Sequence, residues 1–248
     1  MKFEEVKKLN QKKYRSQFGY YLIEGEHLVL ELQKAAANQR QINNISLYVT
    51  SDYQHWASQL TMDCTVSVIS NKQMSQLSNT KTPQGIVACV PLPALQSQEP
   101  VNKQNERCIY LHEVQDPGNL GTIIRTLAWF GDFRLLLSAN SVDPFNPKVV
   151  RSSMGAIFHV PIELDVALDD LHTRFSKFAY LDMHGAKISS EDFAHYPCYL
   201  FGNEARGVPA EALARFNADA YTIEGNGKID SLNLASAVNI CVYQLSKG

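Results

Sequence analysis

The sequence predicts an α/β protein in which a larger C-terminal domain with a parallel sheet follows a smaller α/β domain. Three observations carry this reading. Apolar runs of strand length alternate with segments of helical spacing along the chain. In the second half those runs are apolar throughout, the pattern of strands covered on both faces, and helices separate them. Between the two series lies PLPALQSQEPVNKQNER, residues 91–107, with three prolines in a mostly polar stretch. Such a segment reads as an interdomain linker and puts the boundary near residue 100, giving domains 1–100 and 101–248.

In the first half, MKFEEVKKLNQKKYR carries six basic and two acidic residues. It is either a solvated terminal helix or a phosphate-binding arm. YYLIEG (20–25) reads as a strand and HLVLELQKAAA (27–37) as a helix; ISLYVT (45–50), TVSVIS (65–70) and GIVACV (85–90) are further strands. In the second half the strands are CIYLHEV (108–114), FRLLLS (133–138), FAYLDM (178–183) and CYLFGN (198–203). Helical segments lie at 119–130, 146–154, 165–177 and 209–216. The last helix is expected to begin at Asp230 or Ser231, a good N-cap, with Leu234, Ala235, Val238, Cys241, Val242 and Leu245 on one face.

Composition excludes several classes. With 248 residues, 45% of them hydrophobic, the chain supports at least one sizeable core and is neither disordered nor collagenous. No run approaches the ~18 apolar residues of a membrane span. The basic N-terminus contains Glu4 and Glu5 and lacks an apolar run, which argues against a targeting segment and leaves the cytoplasm as the expected location. Cysteines 64, 89, 108, 198 and 241 are odd in number and widely spaced, so buried thiols are expected rather than a disulfide framework. Neither they nor the seven histidines show metal spacing, and no metal is assigned. A net charge of −2 excludes nucleic-acid binding by bulk charge, though not a local basic surface.

Ligands of open α/β sheets gather at the carboxyl ends of strands, and three loops there stand out. In HEVQDPGNLGTIIRTLAWFG (112–131), Gly118 and Gly121 bracket Asn119 in a bend that opens a helix closed by Gly131. Arg125 follows in the second turn, beside a buried stripe of Ile124, Leu127 and Ala128. It either meets an anion or lies on a solvated face. The spacing is not that of a dinucleotide fold. YLFGNEARGVP (199–209) resembles a phosphate loop only in its glycines, because Val208 and Pro209 stand where Lys and Ser/Thr are required. Glu204 there orients a bound group or caps the next helix. In YTIEGNGKIDSLNLASAVNI (221–240) a Gly-rich loop leads to Ser231 and Asn233; Ser231 is an N-cap or a site residue, but not part of a hydrolase triad.

Taken in order, Asn119-x-Gly121-x3-Arg125, Phe201-Gly202-Asn203-Glu204-x2-Gly207 and Gly227-x3-Ser231-Leu232-Asn233 resemble the three signature motifs of the SpoU (TrmH-type) RNA 2′-O-ribose methyltransferases of the SPOUT class. The resemblance covers residues 107–248 and includes KVVRSSMGAIFHVP (148–161). More loosely, KYRSQFGYYLIEGEHLV (13–29) and TKTPQGIVA (80–88) are similar to an appended L30e-like substrate-binding domain. One departure is in the third motif, where Glu224 and Gly225 follow Ile223 in place of the usual Pro-Met.

The resemblance implies a SPOUT fold with a deep trefoil knot, a homodimer, and S-adenosylmethionine bound against main-chain groups of Leu200, Phe201, Gly202, Ile223 and Leu232, with Gly227 permitting close approach. It implies methyl transfer to a ribose 2′-hydroxyl of rRNA or tRNA. Arg125 would orient the acceptor, held in line by Asn119, Glu204, Ser231 and Asn233. Because a guanidinium stays protonated in proteins, a phosphate oxygen or water is the better proton acceptor. Lys12, Lys13 and Arg15 would contact RNA; Arg151 either does so or forms a structural ion pair. The competing readings are a catalytically silent RNA-binding protein of the same fold and an α/β enzyme acting on a small metabolite.

Overall fold

The computed structural model describes residues 1–38, 42–93, 106–229 and 231–247. The expected boundary near residue 100 and the helix start at Asp230 lie outside the described residues. The chain forms two compact units, Met1–Ala94 with Asp143–His159, and Leu95–Val142 with Val160–Gly248. The segment 143–159, expected within the second domain by sequence order, thus packs as part of the first unit.

In the first unit the basic N-terminus is helical: α1 (Phe3–Val6), a 3-10 turn (Lys7–Asn10) and α2 (Lys12–Phe18). Val6 and Leu9 are fully buried and anchor it, while Gly19 takes φ +74° to end α2 as a left-handed cap. Then follow β1 (Tyr20–Glu24), α3 (Glu26–Asn38), β2 (Ile45–Val49), α4 (Gln54–Ala57), β3 (Cys64–Val68), α5 (Asn71–Leu77) and β4 (Ile86–Pro91). The sheet runs β1-β4-β2-β3, antiparallel except for the β2–β3 pair. Val6, Leu9, Leu22, Tyr48, Met74, Leu77, Val87 and Cys89 make a core cluster that holds the N-terminal helices to the sheet.

Arg15 corrects an expectation. It is buried, not a surface cation: its Nε donates to Asp143 Oδ2 at 3.0 Å, its Nη2 donates to the same oxygen, and Nη1 donates to the Leu9 carbonyl at 2.8 Å. Lys12 and Lys13 shortly before it are exposed, but on α2 Arg15 occupies the inward face, where a guanidinium is tolerated only with its donors satisfied. The returning segment is held further by Phe145, whose ring lies 4.9 Å from that of Tyr21, and by Gly155, where a Cβ would come within 2.6 Å of the Glu31 Cβ.

The second unit contains β5 (Arg107–Leu111), α6 (Pro117–Phe130) and β6 (Phe133–Leu137). After α7 (Pro147–Ser152) in the first unit come β7 (Ile162–Glu163), α8 (Leu168–Arg174), β8 (Phe178–Lys187), β9 (Cys198–Phe201), α9 (Ala210–Leu213), β10 (Ala218–Thr222) and α10 (Leu234–Leu245). The sheet order is β10-β8-β9-β5-β6-β7, with every pair parallel. β10 was not expected as a strand. α6 and α10 pack together, and α8 and α9 supply Leu171 and Leu213 to a cluster with Tyr110, Leu136, Phe178 and Leu200. A buried ion network, Arg134 with Glu106 at 3.0 Å and Glu163 at 3.1 Å, ties the edge strand β7 to the sheet. The five cysteines are free, and burial pushes the thiols of Cys89, Cys108 and Cys241 up to about 12. Among the described residues no helix is long and apolar enough to cross a membrane.

Arg15→Ala strands the Asp143 carboxylate, so it is expected to cost about 3–5 kcal/mol, whereas Lys13→Ala stays within ~0.5 kcal/mol. Urea midpoints of the full chain measure both.

Candidate active site

Because all six strands of the second unit are parallel, their carboxyl ends share one edge, and the central neighbours β5 and β9 send their loops out side by side. The first loop begins at His112, whose N–H donates to the Phe201 carbonyl at 2.9 Å. It turns through Glu113, which takes φ +51°. The helix start lies two residues earlier than expected: Asp116 is the N-cap of α6, accepting the Asn119 N–H at 2.8 Å, with Pro117 at the first helical position.

The second loop is built around Asn203 and Glu204. Buried Asn203 donates its Nδ2 to the Glu113 carbonyl at 2.7 Å, and its Oδ1 accepts the N–H groups of Ala205 and Arg206 at 2.9 and 3.0 Å. Asn203 and Gly207 also exchange two backbone hydrogen bonds. Gly202 is required on steric grounds, since a Cβ there would fall 2.1 Å from the Gly207 carbonyl carbon. Glu204 reaches across to the first loop, where it accepts from Gln115 N at 3.1 Å, Asp116 N at 3.2 Å and Asn119 Nδ2 at 3.2 Å.

The third loop closes the arrangement. Asn233 donates its Nδ2 to Asn119 Oδ1 at 2.9 Å, while its own Oδ1 accepts the Ser236 N–H at 3.2 Å and caps α10. The cap is therefore Asn233, three residues beyond Asp230 and two beyond Ser231, and it comes from the residue that tertiary structure also holds. Asn119, Glu204 and Asn233, 114 residues apart end to end, meet through one side-chain amide.

Other expected site residues are placed as follows. Arg125 lies six residues beyond Asn119 on α6, about 9 Å along the axis, exposed and in no hydrogen bond or ion pair among the described residues. The junction does not hold it. Ser231 is exposed beside Asn233. The side chains of Leu200 and Phe201 are buried in the core, so only their main chain faces outward chemistry. Gly227 takes φ +71° and a Cβ there would meet nothing within 4 Å, so its role in this structure is conformational rather than one of close approach. Lys12 and Lys13 are exposed on α2, and Arg151 lines a small cleft of the first unit with Glu24 and Asn79.

The loops suit a flat apolar and polar ligand presented to backbone. Gly207, Gly225 and Gly227 leave open space where side chains would stand, and Ile229 and Leu232 are 71% and 45% exposed nearby. Met183 is likewise exposed, in a five-residue excursion of β8 whose carbonyl accepts from Thr222 Oγ1. These groups fit S-adenosylmethionine. His112 is a different matter: burial lowers its pKa from 6.5, and its Nδ1 is buried without a partner among the described residues, so the ring is neutral at pH 7 and is no phosphate-binding cation.

Sequence reasoning missed Asn203, Gln115 and Asp116 as organisers. Asp-Pro ahead of the helix was a readable signal for Asp116; the partners of Asn203 and Gln115 are nonlocal. Gly202→Ala is expected to disrupt the Asn203–Gly207 pairing and raise amide exchange across 203–207 by about tenfold or more, while Gly225→Ala leaves it unchanged. Native-state hydrogen exchange distinguishes them.

Comparison with known proteins matches both halves of the chain. Residues 106–243 match the SpoU rRNA Methylase family, and residues 2–88 match the MRM3-like substrate binding domain. The chain is 33% identical to the 23S rRNA (guanosine(2553)-2′-O)-methyltransferase RlmP of Bacillus subtilis, covering 98% of this chain and 95% of that one. It superposes on a TrmH-family protein from Porphyromonas gingivalis with a TM-score of 0.81 at 28% identity, covering 98% and 96% of the two chains. An AdoMet-bound rRNA methyltransferase from Sinorhizobium meliloti gives 0.80 at 26%, covering 99% and 94%. With both halves matched in order, the chain belongs to the SpoU rRNA methylase family and is an RNA methyltransferase.

Proposed function

We propose that this protein transfers a methyl group to a ribose 2′-hydroxyl of structured ribosomal RNA in the cytoplasm. The observation that carries the reading is the Asn119–Glu204–Asn233 junction, which fixes three Gly-bearing loops at the carboxyl edge of the sheet. Residues 101–248 do the chemistry and residues 1–100 bind the substrate, in line with the matched substrate-binding domain. The relative from B. subtilis is named for a guanosine 2′-O-methylation of 23S rRNA, which supports ribosomal RNA over transfer RNA.

S-adenosylmethionine, when bound, supplies an electrophilic methyl on a sulfonium. Main-chain groups of Leu200, Phe201, Gly202, Ile223 and Leu232 would hold it, with Gly227 shaping the third loop. The chain's own work is positioning. Arg125, without a partner among the described residues, binds the RNA beside the acceptor ribose and stabilises charge developing on the 2′-oxygen. Its fixed charge disqualifies it as a base, so the proton passes to a phosphate oxygen or water. Asn119, Glu204, Ser231 and Asn233 shape the floor on which the ribose is aligned, and such alignment is worth up to ~7–11 kcal/mol of barrier. The same reading includes a trefoil knot, supported by the match of residues 106–243 to the SpoU family.

The reading also includes a homodimer. Trp129 on α6 is 84% exposed, and Ile240 and Tyr243 on α10 are exposed. The two helices are joined by Thr126 Oγ1 donating to Asn239 Oδ1 at 2.6 Å, so the apolar groups ride on one rigid pair. A second copy of the same face would cover them.

Arg125→Ala is expected to lower methyl transfer at least about a hundredfold while the donor's Kd, by calorimetry, changes less than about twofold. Near-normal tritium transfer to unmethylated rRNA in that variant sinks the mechanism; donor binding without transfer in the wild type marks a catalytically silent protein instead. Trp129→Glu is expected to shift the sedimentation mass from dimer to monomer.

A further inference from the structure

We propose that Tyr14 is a stacking platform for an unpaired RNA base, with Lys8, Lys12 and Lys13 meeting the flanking phosphates. This rests on RNA being the substrate and adds to it a mode of recognition.

Of the six basic side chains in residues 1–18, two are committed to carboxylates. Lys7 is paired with Glu4 at 2.9 Å, and Arg15 is consumed by buried Asp143. Lys8, Lys12 and Lys13 are exposed and in no ion pair among the described residues. Two of them crowd one ring: Lys8 Nζ lies 5.4 Å and Lys13 Nζ 5.8 Å from the Tyr14 centroid. A phosphodiester that meets these ammonium groups releases its own counterions.

The ring itself is presented. Tyr14 and Phe18, one turn apart on α2, stack at 6.0 Å with planes 16° from parallel. Phe18 also packs against the core of the first unit, whereas Tyr14 is half-buried and its hydroxyl has no partner among the described residues. The next residue, Arg15, is pinned to Asp143 and to the Leu9 carbonyl, so the helix carrying the ring is fixed before any ligand arrives. An aromatic face ringed by unpaired cations is the arrangement that binds single-stranded nucleic acid, since every base has a π-face. Bases inside a duplex are already stacked, so such a face selects a loop, bulge or flipped nucleotide.

The test uses the full chain with rRNA from cells lacking this activity, Kd by filter binding and turnover by tritium transfer. Tyr14→Ala and Tyr14→Leu are expected to weaken RNA binding about 5- to 100-fold with kcat and donor affinity unchanged. Tyr14→Phe is expected to stay within twofold. Leu keeps an apolar contact with Phe18, and matching thermal midpoints exclude unfolding as the cause. Lys8→Ala and Lys13→Ala are each expected to reduce the salt slope of binding by about one. Wild-type affinity in Tyr14→Leu, or a loss in Tyr14→Phe equal to that in Tyr14→Ala, overturns the platform alone. Failure of the wild-type protein to bind or methylate RNA overturns the platform together with the reading it rests on.

Discussion

One side-chain amide organises the candidate site. Asn119 donates from Nδ2 to Glu204 and accepts on Oδ1 from Asn233, so each end of the group is committed to a different loop. The residue types follow from that polarity. Glu204, acceptor-only when ionised, is met by two backbone N–H groups and the Asn119 amide. An aspartate at 119 would set carboxylate against carboxylate, and an alanine would leave Asn233 without its acceptor. Each bond is worth only ~0.5–1.5 kcal/mol at an exposed position. Their collective effect is registry: loops more than a hundred residues apart are held to within a hydrogen bond of one another.

That junction is possible because of the sheet. Parallel strands deliver every loop to one edge, and β5 beside β9 lets the His112 N–H donate to the Phe201 carbonyl and the Asn203 amide donate to the Glu113 carbonyl. The third loop has farther to come, since β10 is the edge strand with β8 and β9 between it and β5. Its link to the first loop is the bond from Asn233 to Asn119. Glycine serves these loops in two different ways, Gly202 by its size against Gly207 of its own turn and Gly227 by its φ of +71°.

Much of this was legible in the amino-acid sequence, for physical reasons. Continuous apolar runs gave away strands buried on both faces, and the glycines with their polar neighbours marked the loops at strand ends. What escaped was fixed by distant partners. Arg15 sits in KKYR and reads locally as one more surface cation; its partner Asp143 is 128 residues away. Asp230, Ser231 and Asn233 are all good capping residues, and only the bond to Asn119 decides among them. ADAYT is too short and too mixed to announce the edge strand β10, which exists because β8 offers it a ladder. Segment 146–154 was recognised as helical, yet nothing local reveals that Phe145 packs on Tyr21.

The division between occupied and free polar groups bears directly on chemistry. Every polar side chain at the junction is spent on structure: Glu204 on loop amides, Asn203 on its own turn, Asn233 on a helix cap and a neighbour. His112, at the mouth of the first loop, has its pKa lowered by burial, and its Nδ1 is buried without a partner among the described residues. Among the described residues, Arg125 alone of the expected catalytic side chains is a charged group with nothing bound to it. A cation solvated until substrate arrives costs the fold little, and it keeps its full donor set for a phosphate or a developing alkoxide. The site therefore supplies orientation and positive charge rather than a base, and the departing 2′-proton is left to the phosphate backbone or to water.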